Sequence, residues 1–151
     1  MSVVNFDILI PLDSQGFMEL ECDYCKNRFM VLGDEFKNGD FLHMFCPVCG
    51  IPNHLNTFYT TEVIEKSHEI ISQWAIDQIQ KTLGASIKSL NKNKFIKVDM
   101  KIPKVNSNLE LYEASNCYLK VNLECCNIDL KIREIDHLVG AYCPKCGGCH
   151  I

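Results

Sequence analysis

The sequence predicts an α+β protein in which two small β modules at the ends of the chain are joined by a long central amphipathic helix and a strand. Three observations support this prediction: paired cysteines that follow short alternating segments, a second appearance of those segments, and a helical hydrophobic period between them. We place the module boundaries so that the first β module, the helix with its strand, and the second β module occupy residues 1–58, 59–104 and 105–151.

The first module contains two hooks, each made of two cysteines separated by two residues, at Cys22–Cys25 and Cys46–Cys49. The apolar and β-branched segment at residues 3–11 predicts a short strand. Strand-like segments also run into both hooks, and Gly50 after the second can adopt the positive φ that closes such a turn. Both sulfurs of a hook can face one point, and four thiolates at this spacing are the ligands of a structural zinc site. We therefore predict Zn²⁺ at site 1, bound by Cys22, Cys25, Cys46 and Cys49.

The central module begins with a helical pattern from Thr60 to about Leu90. Apolar residues recur there at spacings of three, four and seven and define one face: Val63, Ile64, Ile70, Ile71, Trp74, Ile79 and Leu83. Such a helix has more apolar surface than two small β modules can cover, so we expect another protein or a second copy of the chain to bury the remainder. Phe95–Ile102 then alternates as a half-buried strand.

The last module repeats the first. The triplet Leu-Glu-Cys that ends at Cys22 recurs at Cys125, and the hook Cys46–Cys49 recurs as Cys143–Cys146, each followed by glycine. The flanks align only if the second copy has lost two residues from its first hook, which leaves Cys125 and Cys126 adjacent. A second Zn²⁺ is therefore predicted at site 2, whose four ligands are Cys125, Cys126, Cys143 and Cys146.

The adjacent cysteines leave alternatives open at site 2, because neighbouring residues of an extended strand point to opposite faces. In one alternative three of these thiolates remain and the fourth ligand is Cys149, His150, His137 or Cys117. In another, the second copy binds no metal and depends on its own small core. A site with three protein ligands could bind water, although no nearby glutamate stands in a His-Glu-x-x-His motif.

The second hook with its flanks, Phe45–Gly50, resembles the knuckle of zinc ribbons found in transcription factors and RNA polymerase subunits. The order of the modules and the two Cys-Pro-x-Cys-Gly hooks resemble small bacterial proteins, mostly without assigned function, that carry a zinc ribbon at each end of a helical middle. The resemblance implies a protein that presents ribbon surfaces and a helix to a binding partner.

Composition and charge limit the classes of function. The chain of 151 residues has a formal net charge of −4, which disfavours general binding to polyanions. Lysines outnumber acids six to one between Lys88 and Lys104, so nucleic-acid binding would have to use this stretch. The lysines that would contact phosphates are Lys92, Lys94, Lys97 and Lys101.

We find no phosphate-binding loop, no Gly-x-Ser-x-Gly motif and no dinucleotide fingerprint in the sequence. We therefore expect a non-enzymatic adaptor that acts through protein–protein contacts. A nucleic-acid-binding protein of transcription or of foreign-DNA handling is the second hypothesis, and a metal-dependent enzyme at an incomplete site 2 is the third.

The N-terminal segment has no basic stretch and no apolar run typical of a secretory signal, and no segment is apolar enough to span a membrane. We expect a cytoplasmic protein without a membrane partner. In a reducing compartment the ten cysteines are better interpreted as thiols that bind metal than as disulfides.

Overall fold

The described residues of the computed structural model are 4–39, 41–90, 109–112 and 117–150. They form both helices and strands, which confirms the α+β class. The chain divides into a helical unit, Met1–Ile8 with Ile64–Glu110, and a sheet unit, Leu9–Val63 with Leu111–Ile151. The division into three modules stays a prediction, and the strand predicted at Phe95–Ile102 lies outside the described residues.

A four-stranded antiparallel sheet forms the centre of the sheet unit. Its strands are β1 (Phe17–Glu21), β2 (Arg28–Leu32), β5 (Tyr118–Leu123) and β6 (Ile128–Arg133), in the order β1-β2-β6-β5. The first copy supplies β1 and β2, and the second copy supplies β5 and β6. Met30 of β2 pairs with Lys131 of β6, and Val31 pairs with Leu130. The two copies therefore build one continuous sheet.

The copies are related by an approximate twofold axis at the centre of this sheet. A six-residue helix follows each inner strand directly: α1 (Gly33–Asn38) follows β2, and α3 (Glu134–Val139) follows β6. Met30 and Lys131 are equivalent positions, because each lies three residues before the first residue of the helix that follows it. Because each of them pairs with its own counterpart, the axis passes through this pair.

Short two-residue strands flank the second hook of each copy. They are β3 (Met44–Phe45) with β4 (Pro52–Asn53), and β7 (Ala141–Tyr142) with β8 (Cys149–His150). A 3₁₀ turn at Leu55–Phe58 leads from β4 to α2 (Thr61–Leu90). The second hook of each copy is therefore the turn between two short strands. These two strand pairs, together with the four-stranded sheet, position both cysteine clusters.

One face of the sheet carries the hydrophobic core, in which both copies take part. Leu20, Phe29, Leu130 and Ile132 are all 0% exposed. The alternation from Cys117 to Cys125 predicts Leu119 and Leu123 on the inner side of a strand; Leu123 is 2% exposed, whereas Leu119 is 42% exposed. The sequence also predicts a strand at residues 3–11, whereas residues 4–13 are irregular and pair with no described strand.

In the helical unit, the aromatic rings of Phe6 and Trp74 make an edge-to-face contact with centroids 5.8 Å apart. Several apolar side chains of the face predicted from the sequence are exposed, among them Ile71, Trp74, Ile79 and Leu83. Within the described residues, no helix combines the length and the apolar character needed to cross a membrane.

Candidate metal sites

The first hook of site 1 is the turn between β1 and β2. Lys26 donates its backbone N–H to the carbonyl of Cys22 at 2.9 Å, and Cys22 donates its own to the carbonyl of Asn27 at 3.0 Å. Lys26 has a φ of 58°, a left-handed conformation that reverses the chain just after Cys25. The turn therefore brings the sulfurs of Cys22 and Cys25 to one side.

The second hook of site 1 closes in a similar way. Gly50 donates its N–H to the carbonyl of Cys46 at 2.9 Å, and Cys46 donates to the carbonyl of Ile51 at 3.1 Å. The φ of Gly50 is 71°, which confirms the positive value predicted from the sequence. Val48 donates its N–H toward the Cys46 sulfur at 3.4 Å, a contact that stabilises a thiolate.

The sulfurs of site 1 have the spacing of a tetrahedral zinc site. All four lie within 4.8 Å of one another, and the separations of Cys22 from Cys49 and of Cys25 from Cys46 are both 3.8 Å. A tetrahedron with a Zn–S bond of about 2.3 Å requires S···S separations of about 3.8 Å. The spacing of these donors thus suits one Zn²⁺ ion.

Burial and the neighbouring sulfurs shift the pKa values of these thiols. Cys22 and Cys46 are 0% exposed, and burial raises the pKa of both. At Cys25, burial also acts to raise the pKa, but the Asn27 N–H and the neighbouring thiols outweigh it and lower the pKa. Four sulfurs this close can all be ionised only around a cation, which is the role that Zn²⁺ would have here.

The four cysteines predicted for site 2 also lie close together. Cys125, Cys126, Cys143 and Cys146 also lie within 4.8 Å of one another. The sulfurs of Cys125 and Cys146 are 3.6 Å apart, again close to the separation in a zinc tetrahedron. Each of the two clusters can hold one zinc ion, in agreement with the two Zn²⁺ ions predicted from the sequence.

Site 2 is more accessible to solvent than site 1. Cys143 is 0% exposed, as is its counterpart Cys46, but Cys125 and Cys146 are exposed. The loss of hydration beside the other sulfurs, together with hydrogen bonds that the Cys125 thiol makes to Cys143 and Cys146, raises the pKa of Cys125 to about 12. The backbone N–H of Gly148 and the neighbouring thiols lower the pKa of Cys146 to about 7.

The strand register corrects the sequence alignment at the first hook of the second copy. Cys22 bonds to Asn27 across the first turn, and Leu123 pairs with Ile128 across the second, so each turn contains four residues. The predicted loss of two residues is therefore wrong. The matching Leu-Glu-Cys triplets led to that alignment, but strand pairing places Leu123 where Cys22 stands.

The same register assigns the neighbouring cysteines. Cys126 occupies the place of Cys25, and each precedes a residue of positive φ, Asn127 at 51° and Lys26 at 58°. Cys125 occupies the place of Tyr24, an exposed position at the tip of the turn. Site 2 has thus lost the sulfur at the strand end and has one at the turn tip instead.

The four alternative ligands of site 2 lie in different places. The Nε2 atom of His150 is 3.0 Å from the sulfur of Cys125, and His150 lines a cavity of about 220 Å³ together with His137. Cys149 is exposed and outside the cluster, and alternation along β8 directs it away from His150. Cys117 precedes β5 and lines a separate concavity. Among the described residues, His150 is thus the alternative ligand that contacts the quartet, through Cys125.

The second hooks of the two copies bind each other by reciprocal backbone hydrogen bonds. Phe45 donates its N–H to the carbonyl of Pro144 at 2.9 Å, and Tyr142 donates to the carbonyl of Pro47 at 2.8 Å. Phe45 and Tyr142 are equivalent residues that precede the hooks, and the prolines are equivalent residues within them. Each hook is therefore held by the strand that leads into the other.

Aromatic packing follows the same crossed pattern. A Cβ atom added at Gly147 would lie 2.8 Å from the ring of Phe45, and one added at Gly50 would lie 3.0 Å from the ring of Tyr142. Each aromatic side chain thus covers the glycine of the opposite hook, and at Gly147 the distance is one that only glycine permits. The second hooks of the two metal sites therefore pack directly against each other.

The polar face of the sheet carries ion pairs. Arg28 contacts Glu21 at 2.9 Å, Glu62 at 2.8 Å and Glu19 at 3.3 Å. Lys131 pairs with Asp13, and Arg133 pairs with Asp136. The lysines predicted to contact nucleic acid lie outside the described residues; they are Lys92, Lys94, Lys97 and Lys101.

Comparison with protein-family models, with curated proteins and with solved structures found no match to this chain.

Proposed function

We propose that the protein is a non-enzymatic, zinc-stabilised adaptor whose paired cysteine modules are of the zinc-ribbon type and which acts through protein–protein contacts. The observation that carries the proposal is an exposed apolar surface on α3. Ile135, Leu138 and Val139 are 67%, 78% and 81% exposed. Three apolar side chains this exposed on one short helix are typical of a surface that another protein covers.

The equivalent helix of the first copy shows that the fold does not require this surface. The residues of α1 at the three matching positions are polar: Asp34, Lys37 and Asn38. Because both helices follow an inner strand in the same way, a polar α3 would suit the fold equally well. The apolar residues of the second copy are therefore better explained by binding than by folding.

The chemistry of the clusters supports a binding role over catalysis. Four thiolates complete the coordination of zinc and leave no position for a substrate or water. At site 1 the complete burial of Cys22 and Cys46 adds to this closure. The zinc ions would then serve to stabilise the fold, as structural sites do.

The charges of the sheet unit favour a protein partner over nucleic acid. The guanidinium of Arg28 has three carboxylate partners, and Lys131 and Arg133 have one each. Cations neutralised in this way are poor ligands for phosphates. Nucleic-acid binding would depend on the stretch from Lys88 to Lys104.

The test compares Val139→Glu with Asn38→Glu, the matched substitution on α1. Both add one negative charge at equivalent exposed positions. We expect partner capture by tagged, zinc-loaded protein after crosslinking in its own cells to be lost with Val139→Glu and kept with Asn38→Glu. Equal capture by both variants would contradict the proposal, and salt-dependent retention on DNA or RNA would favour the nucleic-acid hypothesis. Zinc counting by native mass spectrometry verifies that both variants are folded.

A further inference from the structure

Site 2 contains more zinc-binding donors than one tetrahedral ion can use. The quartet of Cys125, Cys126, Cys143 and Cys146 already supplies four thiolates. The Nε2 atom of His150 lies just outside this quartet, 3.0 Å from the sulfur of Cys125, which is hydrogen-bond distance. A fifth zinc-binding donor therefore lies beside a cluster that is already complete for one ion.

The surroundings of His150 differ from the equivalent place at site 1. Its counterpart in β4 is Asn53, whose Oδ1 accepts the backbone N–H of His54 at 2.9 Å and whose side chain is thus engaged locally. The first copy has a side chain with no zinc-binding donor at this position, whereas the second has an imidazole.

A glycine leaves room for the imidazole to approach. A Cβ added at Gly148 would lie 3.4 Å from the Cys146 sulfur and 3.8 Å from Nε2 of His150. A longer side chain would fill the gap between these two atoms. The counterpart in the first copy is Ile51, so the second copy has an opening where the first has a bulky side chain.

Cys125 is the donor that can be released. It stands at the exposed tip of its turn, in the place of Tyr24, rather than at the end of a strand. Cys143 is fully buried, and Cys126 occupies the place of the site 1 ligand Cys25. Cys146 is exposed, but it lies in the place of the site 1 ligand Cys49, in a hook closed by the hydrogen bond from Gly147 to Cys143. These three thiolates thus have counterparts among the ligands of site 1, and Cys125 has none.

We propose that three thiolates, Cys126, Cys143 and Cys146, bind zinc constantly at site 2 and that Cys125 and His150 share the fourth position. In the exchange His150 donates its Nε2 lone pair while Cys125 withdraws its thiolate, which takes up one proton from solvent. The ligand set changes from four sulfurs to three sulfurs and one nitrogen, and Cys125 becomes a free thiol. The inference depends on zinc binding at site 2 and is independent of the partner of α3.

The first experiment counts zinc by native mass spectrometry in variants purified with excess zinc. We expect two ions per chain in wild type and in Cys125→Ser, and one ion in Cys125→Ser/His150→Ala. The matched control, Cys125→Ser/Asn53→Ala, keeps two. One ion in Cys125→Ser alone, or two in the double variant with His150→Ala, would overturn the inference. Fewer than two ions in wild type would also overturn it without affecting the test on α3.

The second experiment uses protein in which no cysteine is substituted. Iodoacetamide is added to zinc-saturated protein, and the alkylation of each cysteine is followed by peptide mass spectrometry. We expect Cys125 to react faster than Cys126, and His150→Ala to slow the reaction of Cys125 toward that of Cys126. If Cys125 is as protected as Cys126 in wild type, or if His150→Ala has no effect, the shared position does not exist.

Discussion

Replacing Gly147 with alanine tests the crossed packing that links the two metal sites. Gly147 has a φ of 71°, and an added Cβ would meet the Phe45 ring of the other copy at 2.8 Å. A left-handed backbone costs a non-glycine residue about 1–2 kcal/mol. Forcing an extra carbon into a packed contact adds about 1–3 kcal/mol. We therefore expect Gly147→Ala to destabilise the zinc-loaded protein by about 2–5 kcal/mol.

Gly16 provides the matched control, because it separates the two contributions. Its φ is 83°, but an added Cβ would have no atom within 4 Å. Gly16→Ala should therefore show only the backbone strain, about 1–2 kcal/mol. The measurement is urea unfolding with excess zinc, monitored by circular dichroism.

A double-mutant cycle with Phe45→Ala completes the test. If the Phe45 ring is the obstacle, Gly147→Ala should be less destabilising when that ring is absent, with a coupling energy of about 1–3 kcal/mol. The reasoning is refuted if Gly147→Ala and Gly16→Ala destabilise equally, or if the coupling energy is zero.

Two further predictions concern the ion pairs and the register of the second copy. Arg28→Gln leaves three carboxylates without their common cation and should lower the free energy of unfolding by about 1–3 kcal/mol in urea titrations. Lys26→Gln, which removes an exposed pair, should leave stability unchanged, and equal effects would count against the network. The double substitution Leu123→Cys/Cys125→Tyr restores the spacing of the first hook at site 2. It should keep two zinc ions and slow the transfer of zinc from site 2 to a chelator; loss of the ion would show that the register assignment is wrong.

The cysteine clusters were predictable because their signal is local. A hook needs only two cysteines at a fixed spacing and a residue that can reverse the chain, and Gly50 met that requirement with its positive φ. The repeat was also visible in the matching hooks of the two copies. What the alignment could not show was which residue faces which across a hairpin, so it matched Cys22 to Cys125 instead of Leu123.

The helices α1 and α3 escaped prediction for a different reason. Each has six residues, less than two turns, so no apolar period can appear in its sequence. Alternation predicts that Leu119 shares a face of its strand with Leu123, but it cannot show how far a neighbouring element covers that face. In the structure Leu123 is buried, whereas Leu119 is 42% exposed.

By itself the sequence determined the α+β class, the repeat and the cysteines of both clusters, since each depends on neighbouring residues or on spacing along the chain. Only the tertiary structure decided that the copies share one sheet, that their second hooks hold each other, and that His150 reaches site 2. These features depend on pairs such as Met30 with Lys131 and Phe45 with Pro144, which are far apart in the chain. Contacts between distant residues leave no local pattern, because packing of the whole sheet unit is what brings them together.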